Sequence, residues 1–246
     1  MSFPATTRTL QVCRNCGGGA PVDVHFCPQC RQILTIGRHG DYFAFLGVPR
    51  KLNLAASDLE QRFRTLSRQF HPDYFYNATP NERRASLERS SYLNDAYRTL
   101  KNPIARVEYL LGLEGFSARG PGDPGDPGDP GDPGDKVAGA TVPATLLEEV
   151  FALNEELDEV RDLRASGAAP EVWRAKLERA RAPIEAKQAA HEAELTELSA
   201  RWDALGLDCG AGGGERTAIL SALRERVLER NYIKNLLEGI ERELNA

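Results

Sequence analysis

Between Asp41 and about Gly115 the apolar side chains recur at helical spacing and show no strand-like alternation. The clearest run is Leu59, Phe63, Leu66 and Phe70, which steps by four, three and four and so falls in one arc of a 3.6-residue helix. Gln61, Arg64 and Arg68 project from the opposite side. This helix is predicted to begin near Ser57 and to stop at His71, because Pro72 disfavours helical geometry in the residue before it. A short helix at Asp41–Leu46 precedes it and ends at Gly47-Val48-Pro49. After it, Thr79-Pro80-Asn81-Glu82 reads as a helix start: Thr79 caps, Pro80 takes the first position and Glu82 completes a capping box. Leu93, Ala96, Tyr97 and Leu100 give that helix its inward stripe. Packing of Phe63, Leu66 and Phe70 on Leu93 and Tyr97 would make a helical hairpin with residues 71–73 at one end. A fourth short helix follows Pro103, with Ile104, Val107, Leu110 and Leu111 apolar, and ends between Gly112 and Gly115.

The second half repeats the helical pattern on a larger scale. Segments at about 144–165, 170–205 and 215–244 are expected to form an antiparallel three-helix bundle, with the last turn at Gly206 to Gly214. Pro183 inside the middle segment is expected to kink or interrupt it. Leu146, Val150, Leu153, Leu157 and Val160 make the core stripe of the first segment. Leu147 and Phe151 lie about 100–140° away from that stripe. Either they widen the buried face or they are exposed for a partner. Before the bundle, five Pro-Gly-Asp triplets run from Pro121 to Asp135. Such a stretch cannot bury surface to offset its ordering entropy, and it is too short for a lasting triple helix, so a flexible tether is expected.

The expected fold is therefore all-α: a helical hairpin over 39–115, a linker over 116–143 and a helical domain over 144–246. Ahead of them stands a small Cys-rich head, 1–38, too poor in apolar side chains to fold around its own core. Four of the five cysteines lie within it, as Cys13-x2-Cys16 and Cys27-x2-Cys30. Each pair can form a knuckle whose backbone amides point at thiolate sulfur, and four thiolates suit one tetrahedral structural ion, zinc above all. Two disulfides, a redox pair and a rubredoxin-type iron centre are the competing readings. His25 is close enough to be a ligand but is superfluous beside four cysteines. Cys209 stands alone.

The net charge of −5 and pI near 5.5 count against phosphate-backbone binding, so no nucleic-acid partner is expected. No run approaches the roughly 20 apolar residues that cross a bilayer, and Met1 to Val12 lacks a signal peptide's apolar core. A cytoplasmic protein, or a mitochondrial matrix protein if eukaryotic, and a monomer are expected. A phosphate-cradling glycine loop with its lysine is absent, so no nucleotide and no enzymatic activity of its own are expected.

His71-Pro72-Asp73 is a weak signal as a bare tripeptide, but it falls between a basic amphipathic helix and a capped antiparallel one. The bland reading is a solvated turn. No second His, Cys or carboxylate lies at ligand spacing from His71, which argues against a metal or general-base role. In this setting the residues resemble a J domain, the module by which DnaJ-type proteins engage DnaK-class chaperones. The resemblance implies that His71, Pro72 and Asp73 stimulate the chaperone's ATPase. It also implies that Arg64 and Arg68, with Arg62 beside them, dock on an acidic surface.

Further motifs are similar to one branch, the HscB family of iron–sulfur co-chaperones, in its form with a Cys-rich head. They are Asp41-Tyr42-Phe43, Phe70-His71-Pro72-Asp73-Tyr74-Phe75, Leu93-Asn94-Asp95-Ala96-Tyr97 and Glu108-Tyr109-Leu110-Leu111. Leu153-Asn154-Glu155-Glu156-Leu157 and Phe26-Cys27-Pro28-Gln29-Cys30 belong with them. This resemblance implies that the C-terminal domain binds an IscU-type scaffold and presents it to a DnaK/HscA-type partner. Leu147, Phe151, Glu155 and Tyr232 match the scaffold-contacting positions. Three features depart from the family pattern: Glu148 where an apolar residue is common, Pro183 in a helix usually kept regular, and the Pro-Gly-Asp insert. A general DnaJ-type co-chaperone for unfolded clients and a zinc-ribbon nucleic-acid adaptor are the alternatives.

Overall fold

The computed structural model describes residues 10–36, 41–116, 147–205 and 213–245. The Pro-Gly-Asp repeat, Leu146, Cys209 and most of the predicted last turn lie outside the described residues. Two compact units divide between Leu113 and Glu114, and the Cys-rich head packs in the same unit as the helices that follow it.

The first unit opens with a two-stranded hairpin, β1 (Leu10–Val12) and β2 (Gly19–Pro21), with Gln11 opposite Ala20. These strands are too short for an alternating pattern to announce them. Four helices follow: α1 (Tyr42–Leu46), α2 (Ala56–Phe70), α3 (Pro80–Lys101) and α4 (Pro103–Leu113). Their ends are set by local chemistry. Asp41 Oδ1 accepts from the Ala44 amide at 2.9 Å, and Gly47 ends α1 at φ 66°, where a side chain would be strained. The Thr79–Glu82 capping box is formed as expected, with the Thr79 amide donating to Glu82 Oε2 at 3.1 Å.

Helix α2 packs antiparallel to α3, as the predicted hairpin requires. Phe63 stacks on Tyr97 at 4.2 Å between centroids, and Leu59, Phe70, Leu93, Ala96 and Leu100 are buried. Each fully buried Leu or Phe contributes about 1.5–3 kcal/mol, so this apolar seam rather than any ion pair holds the hairpin. Buried Arg106 joins α4 to it by donating to the carbonyls of Leu100 and Leu52.

The second unit contains α5 (Leu147–Ala165), α6 (Pro170–Leu205) and α7 (Gly213–Asn245). Its ion pairs give the directions. Arg181 faces Glu241 and Glu194 faces Arg226, so α6 and α7 run antiparallel; Lys176 faces Glu156 and Glu159 while Arg164 lies over Trp173, so α5 opposes α6. Leu153, Val160, Trp173, Leu177, Ile184, Ile233 and Ile240 form a shared core. Gly167 at φ 78° ends α5 in a Schellman turn, its amide donating to Arg164 O and that of Ala168 to Leu163 O.

The expected interruption at Pro183 does not occur, and α6 continues through it. Pro183 and Arg179, whose carbonyl loses its helical donor, are both exposed, so the position is open to solvent. Among the described residues no helix is long and apolar enough to cross a membrane.

One polar group interrupts the bundle core. His191 Nε2 lies 2.8 Å from Glu229 Oε2, the same oxygen is 2.8 Å from Arg226 Nη1, and both His191 and Glu229 are buried. Burial lowers the His191 pKa below 6.5, against the pull of Glu229 and with the help of Arg226; Glu194 and Lys187 act more weakly and oppositely. A base depressed in the folded state is protonated first in the unfolded chain. Its contribution to stability is therefore present above about pH 6.5 and is lost as the pH falls toward the folded pKa. The thermal midpoint of the bundle is expected to fall between pH 7.5 and 5.5 more steeply in the wild type than in His191→Gln. Parallel pH profiles for the two would contradict this.

Candidate functional site

The four head cysteines meet at one point. Their sulfurs all lie within 4.8 Å of one another, and the pairs Cys13–Cys30 and Cys16–Cys27 are 3.7 Å apart. A tetrahedral ion with bonds of about 2.3 Å separates its sulfurs by about 3.8 Å, so the cluster fits a metal. The cysteines are unpaired thiols, which disfavours the disulfide alternative. The two knuckles are built alike. Gly17 and Arg31, each following the second cysteine of its pair, have φ of 72° and 61°, and each donates its amide to the carbonyl of the first cysteine at 2.9 Å.

The thiols share protons unequally. The Gly18 amide lowers Cys16, but desolvation and the other three thiols outweigh it and push Cys16 up to about 11. The Gln32 amide, then the Asn15 side chain, bring Cys30 down to about 6. Metal binding must displace the protons that remain, so retention of the ion weakens in acid.

Gly17 takes the left-handed conformation without strain, whereas Arg31 does not. An arginine there carries strain that glycine would relieve, less the extra chain entropy of glycine, a net gain of about 0.5–1 kcal/mol. Arg31→Gly is expected to hold the metal two- to fivefold more tightly in competition with a chelator. Equal or weaker retention would show that the side chain makes a compensating contact.

His71 ends α2, as expected from Pro72, and Pro72–Phe75 form a single 3-10 turn. The turn is anchored from behind. Phe70 is fully buried, and its carbonyl accepts from Ser86 Oγ at 2.6 Å and Ser90 Oγ at 3.0 Å, both on α3. Ahead of it, the Thr79 box starts α3. Between these anchors His71 Nδ1 accepts from the Asp73 amide at 3.3 Å, which in the neutral ring leaves the proton on Nε2. The side chains of His71 and Asp73 are 50% and 87% exposed, so an imidazole donor and a carboxylate face outward on a stiff turn. Tyr74 and Tyr76 beside them are also exposed, a feature the sequence pattern did not predict.

Arg64, Arg68 and His71 follow one line along α2. Arg64 pairs with Glu60 at 2.5 Å on the exposed face, and Arg68 is exposed one turn on. Arg62 has a structural task instead, donating to Gly47 O at 2.6 Å and so closing the C-terminus of α1.

On the second unit Leu147 and Phe151 are 39% and 68% exposed, whereas Leu153 and Val160 are buried. The pair is thus exposed and does not widen the buried face. Exposed Glu155 continues their line, and half-buried Tyr232 packs against the bundle core. Glu148 is also exposed, about 100° around the helix from Leu147, and borders a groove with Ala152, Lys176 and Pro183.

Comparison with known proteins agrees with this geometry. The DnaJ domain family model matches residues 41–109, which contain α1 to α3, the turn between α2 and α3 and the first part of α4, and this defines the chain as a J-domain protein. "Iron-sulfur cluster co-chaperone protein HscB" of Homo sapiens is 38% identical over 106 residues, 42% of this chain and 45% of that protein, so the aligned sequence spans less than half of the relative's length. The crystal structure of human co-chaperone protein HscB superposes with a TM-score of 0.61 at 25% identity, covering 94% of this chain and 97% of that one. Chaperone HscB from Vibrio cholerae superposes with a TM-score of 0.52 at 26% identity, over 82% and 96% of the two chains. The chain therefore contains a J domain, is similar in sequence and fold to HscB co-chaperones, and carries an N-terminal four-cysteine cluster.

Proposed function

We propose that the chain stimulates the ATPase of a DnaK/HscA-type chaperone through His71, Pro72 and Asp73, and delivers to it an IscU-type iron–sulfur scaffold bound on the C-terminal bundle. The observation that carries this reading is the presentation of the tripeptide. An exposed imidazole and carboxylate stand on a turn fixed by the buried Phe70 behind and by the Thr79 box ahead.

Arg64 and Arg68 lie on the same helix face and supply positive charge to steer and orient an acidic partner surface. The Arg64–Glu60 pair is exposed, so exchanging Glu60 for a partner carboxylate costs little. ATP hydrolysis takes place in the partner, and this chain contributes contacts that favour the partner's hydrolysing conformation. Leu147, Phe151, Glu155 and Tyr232 form the scaffold-facing surface, with the apolar pair at its centre. In the head, Cys13, Cys16, Cys27 and Cys30 hold a structural zinc ion, which crosslinks a segment too small to fold by burial alone. The reading divides the chain into a head (1–38), a J domain (39–115), a tether (116–143) and a scaffold-binding domain (144–246).

The test is the steady-state ATPase of an HscA-type chaperone with the full chain, with and without an IscU-type scaffold. Stimulation by the chain, increased further by the scaffold, is expected. Stimulation increased equally by denatured proteins would instead favour a general co-chaperone for unfolded clients.

A further inference from the structure

Among the described residues Arg89 is the largest fully buried side chain, and it makes polar contacts away from its own helix with the Cys-rich head. Its Nε donates to Leu34 O at 2.6 Å and its Nη2 to Thr35 O at 3.4 Å, while Nη1 lies 2.7 Å from His25 Nδ1. Its guanidinium also sits 5.6 Å from the centre of the Phe70 ring. The head residues it touches are those the second cysteine pair holds in place. His25 and Leu34 flank Cys27 and Cys30, the Leu34 amide donates to His25 O at 3.0 Å, and Phe26 bridges Ile33. The His25 ring in turn stands edge-on to Phe70 at 4.9 Å. Phe70 immediately precedes His71, and its carbonyl is held by Ser86 and Ser90, on either side of Arg89 on α3. A continuous set of contacts thus runs from the thiolate cluster to the residue that anchors the exposed turn.

We propose that the metal-loaded head is a clamp on the chaperone-engaging turn, and that Arg89 is the positioning residue through which it acts. The clamp rests on the reading of residues 71–73 as the chaperone contact. The head's core cluster consists of Cys13, Ala20, Cys27 and Leu34, with Ile33 buried beside Leu34, so two of the five buried residues are ligands and little apolar packing survives loss of the metal. When the head loosens, Leu34 O, Thr35 O and His25 leave Arg89. A guanidinium that loses these three acceptors is drawn out toward water. It then no longer lies over Phe70, the His25 ring leaves with the head, and the turn loses the packing behind it. Loss of metal therefore acts on how well the chaperone is engaged, through the order of residues 70–76, and leaves the groups that contact the chaperone unchanged.

The experiment compares the full chain loaded with zinc and stripped by a chelator under reducing conditions, as wild type, Arg89→Met and Arg89→Lys. Amide hydrogen exchange over residues 70–76 is read alongside the ATPase titration. In the wild type, stripping is expected to speed exchange in the turn by about tenfold. The chain concentration giving half-maximal stimulation should rise by a similar factor, with the maximal rate kept. Zinc-loaded Arg89→Met should already show the fast turn, with no further change on stripping, and Arg89→Lys, which keeps the charge and can still donate to the carbonyls, should recover part of the protection. Faster exchange confined to residues 10–36 of the stripped wild type, with the turn unchanged, would overturn the clamp. If Arg89→Met does not fold, the loaded and stripped wild type alone decide. Failure of the zinc-loaded wild type to stimulate at all would remove the co-chaperone reading, while the exchange data would still report on the clamp.

Discussion

Replacing His71 with glutamine is expected to abolish stimulation of the partner chaperone's ATPase while leaving the fold and scaffold binding intact. The side chain is half-exposed and its polar contacts are with Asp73 in the same turn, so little of the core depends on it. A substitution at such a position changes stability by no more than about 0.5 kcal/mol. What changes is the interface. Glutamine has a donor and an acceptor but no ring, so it cannot accept the Asp73 amide while holding a second, rigidly placed donor outward. Exposed aromatic and charged groups at the centre of an interface often carry about 2 kcal/mol or more each, corresponding to a loss of at least about thirtyfold in affinity. The stimulated rate should therefore return to the chaperone's basal rate at concentrations that saturate the wild type. Asp73→Asn is the companion variant. It removes the charge and keeps the shape, and an equal loss is expected because the outward carboxylate is 87% exposed and open to a partner's cation. Undiminished stimulation by His71→Gln would refute the assignment of the turn.

The elements that could be read from the sequence are those whose boundaries are set by neighbours in the chain. The Thr79–Glu82 box, the end of α1 at Gly47 and the stop before Pro72 depend on side chains within a turn of the site they control. The four-cysteine cluster was readable for a related reason, since tetrahedral ligation imposes the paired spacing. Features created by distant partners were not readable. Arg89 and Arg106 look like surface residues in the sequence, and their burial follows from carbonyls of Leu34 and Thr35 in one case and of Leu52 and Leu100 in the other. Arg31 takes a left-handed conformation that composition does not suggest, because the knuckle demands it. At Pro183, expected to kink or interrupt α6, the helix is not interrupted, and both Pro183 and the residue whose carbonyl it frees are exposed. The same division holds for function. The tripeptide and the cysteines are local signals, whereas exposed Tyr74 and Tyr76 and the latch between head and turn depend on the assembled fold.

The second large effect is expected on the C-terminal unit, where Leu147→Ala with Phe151→Ala should weaken binding of an IscU-type scaffold by about 30- to 1,000-fold, corresponding to about 2–4 kcal/mol for truncating an apolar anchor pair. Phe151 is 68% exposed on a helix whose next inward residue, Leu153, is buried in the core, so its ring contributes little to folding and is available to a partner. Leu147 stands one turn before it and enlarges the same patch. Their truncation should leave the thermal midpoint of the bundle nearly unchanged, because the core of Leu153, Val160, Trp173, Leu177 and Ile184 does not include them. The paired measurement separates the two sites of the chain: the double variant should still stimulate the chaperone's basal ATPase through His71 and Asp73, but the additional stimulation by scaffold should disappear. Tyr232→Ala is a less clean probe, since that ring also packs on the core and its loss would lower stability as well as binding. Calorimetric titration of the scaffold with the double variant decides the matter. An affinity within twofold of the wild type would show that the exposed pair is not the scaffold contact and would move the search to the groove bordered by Glu148, Lys176 and Pro183.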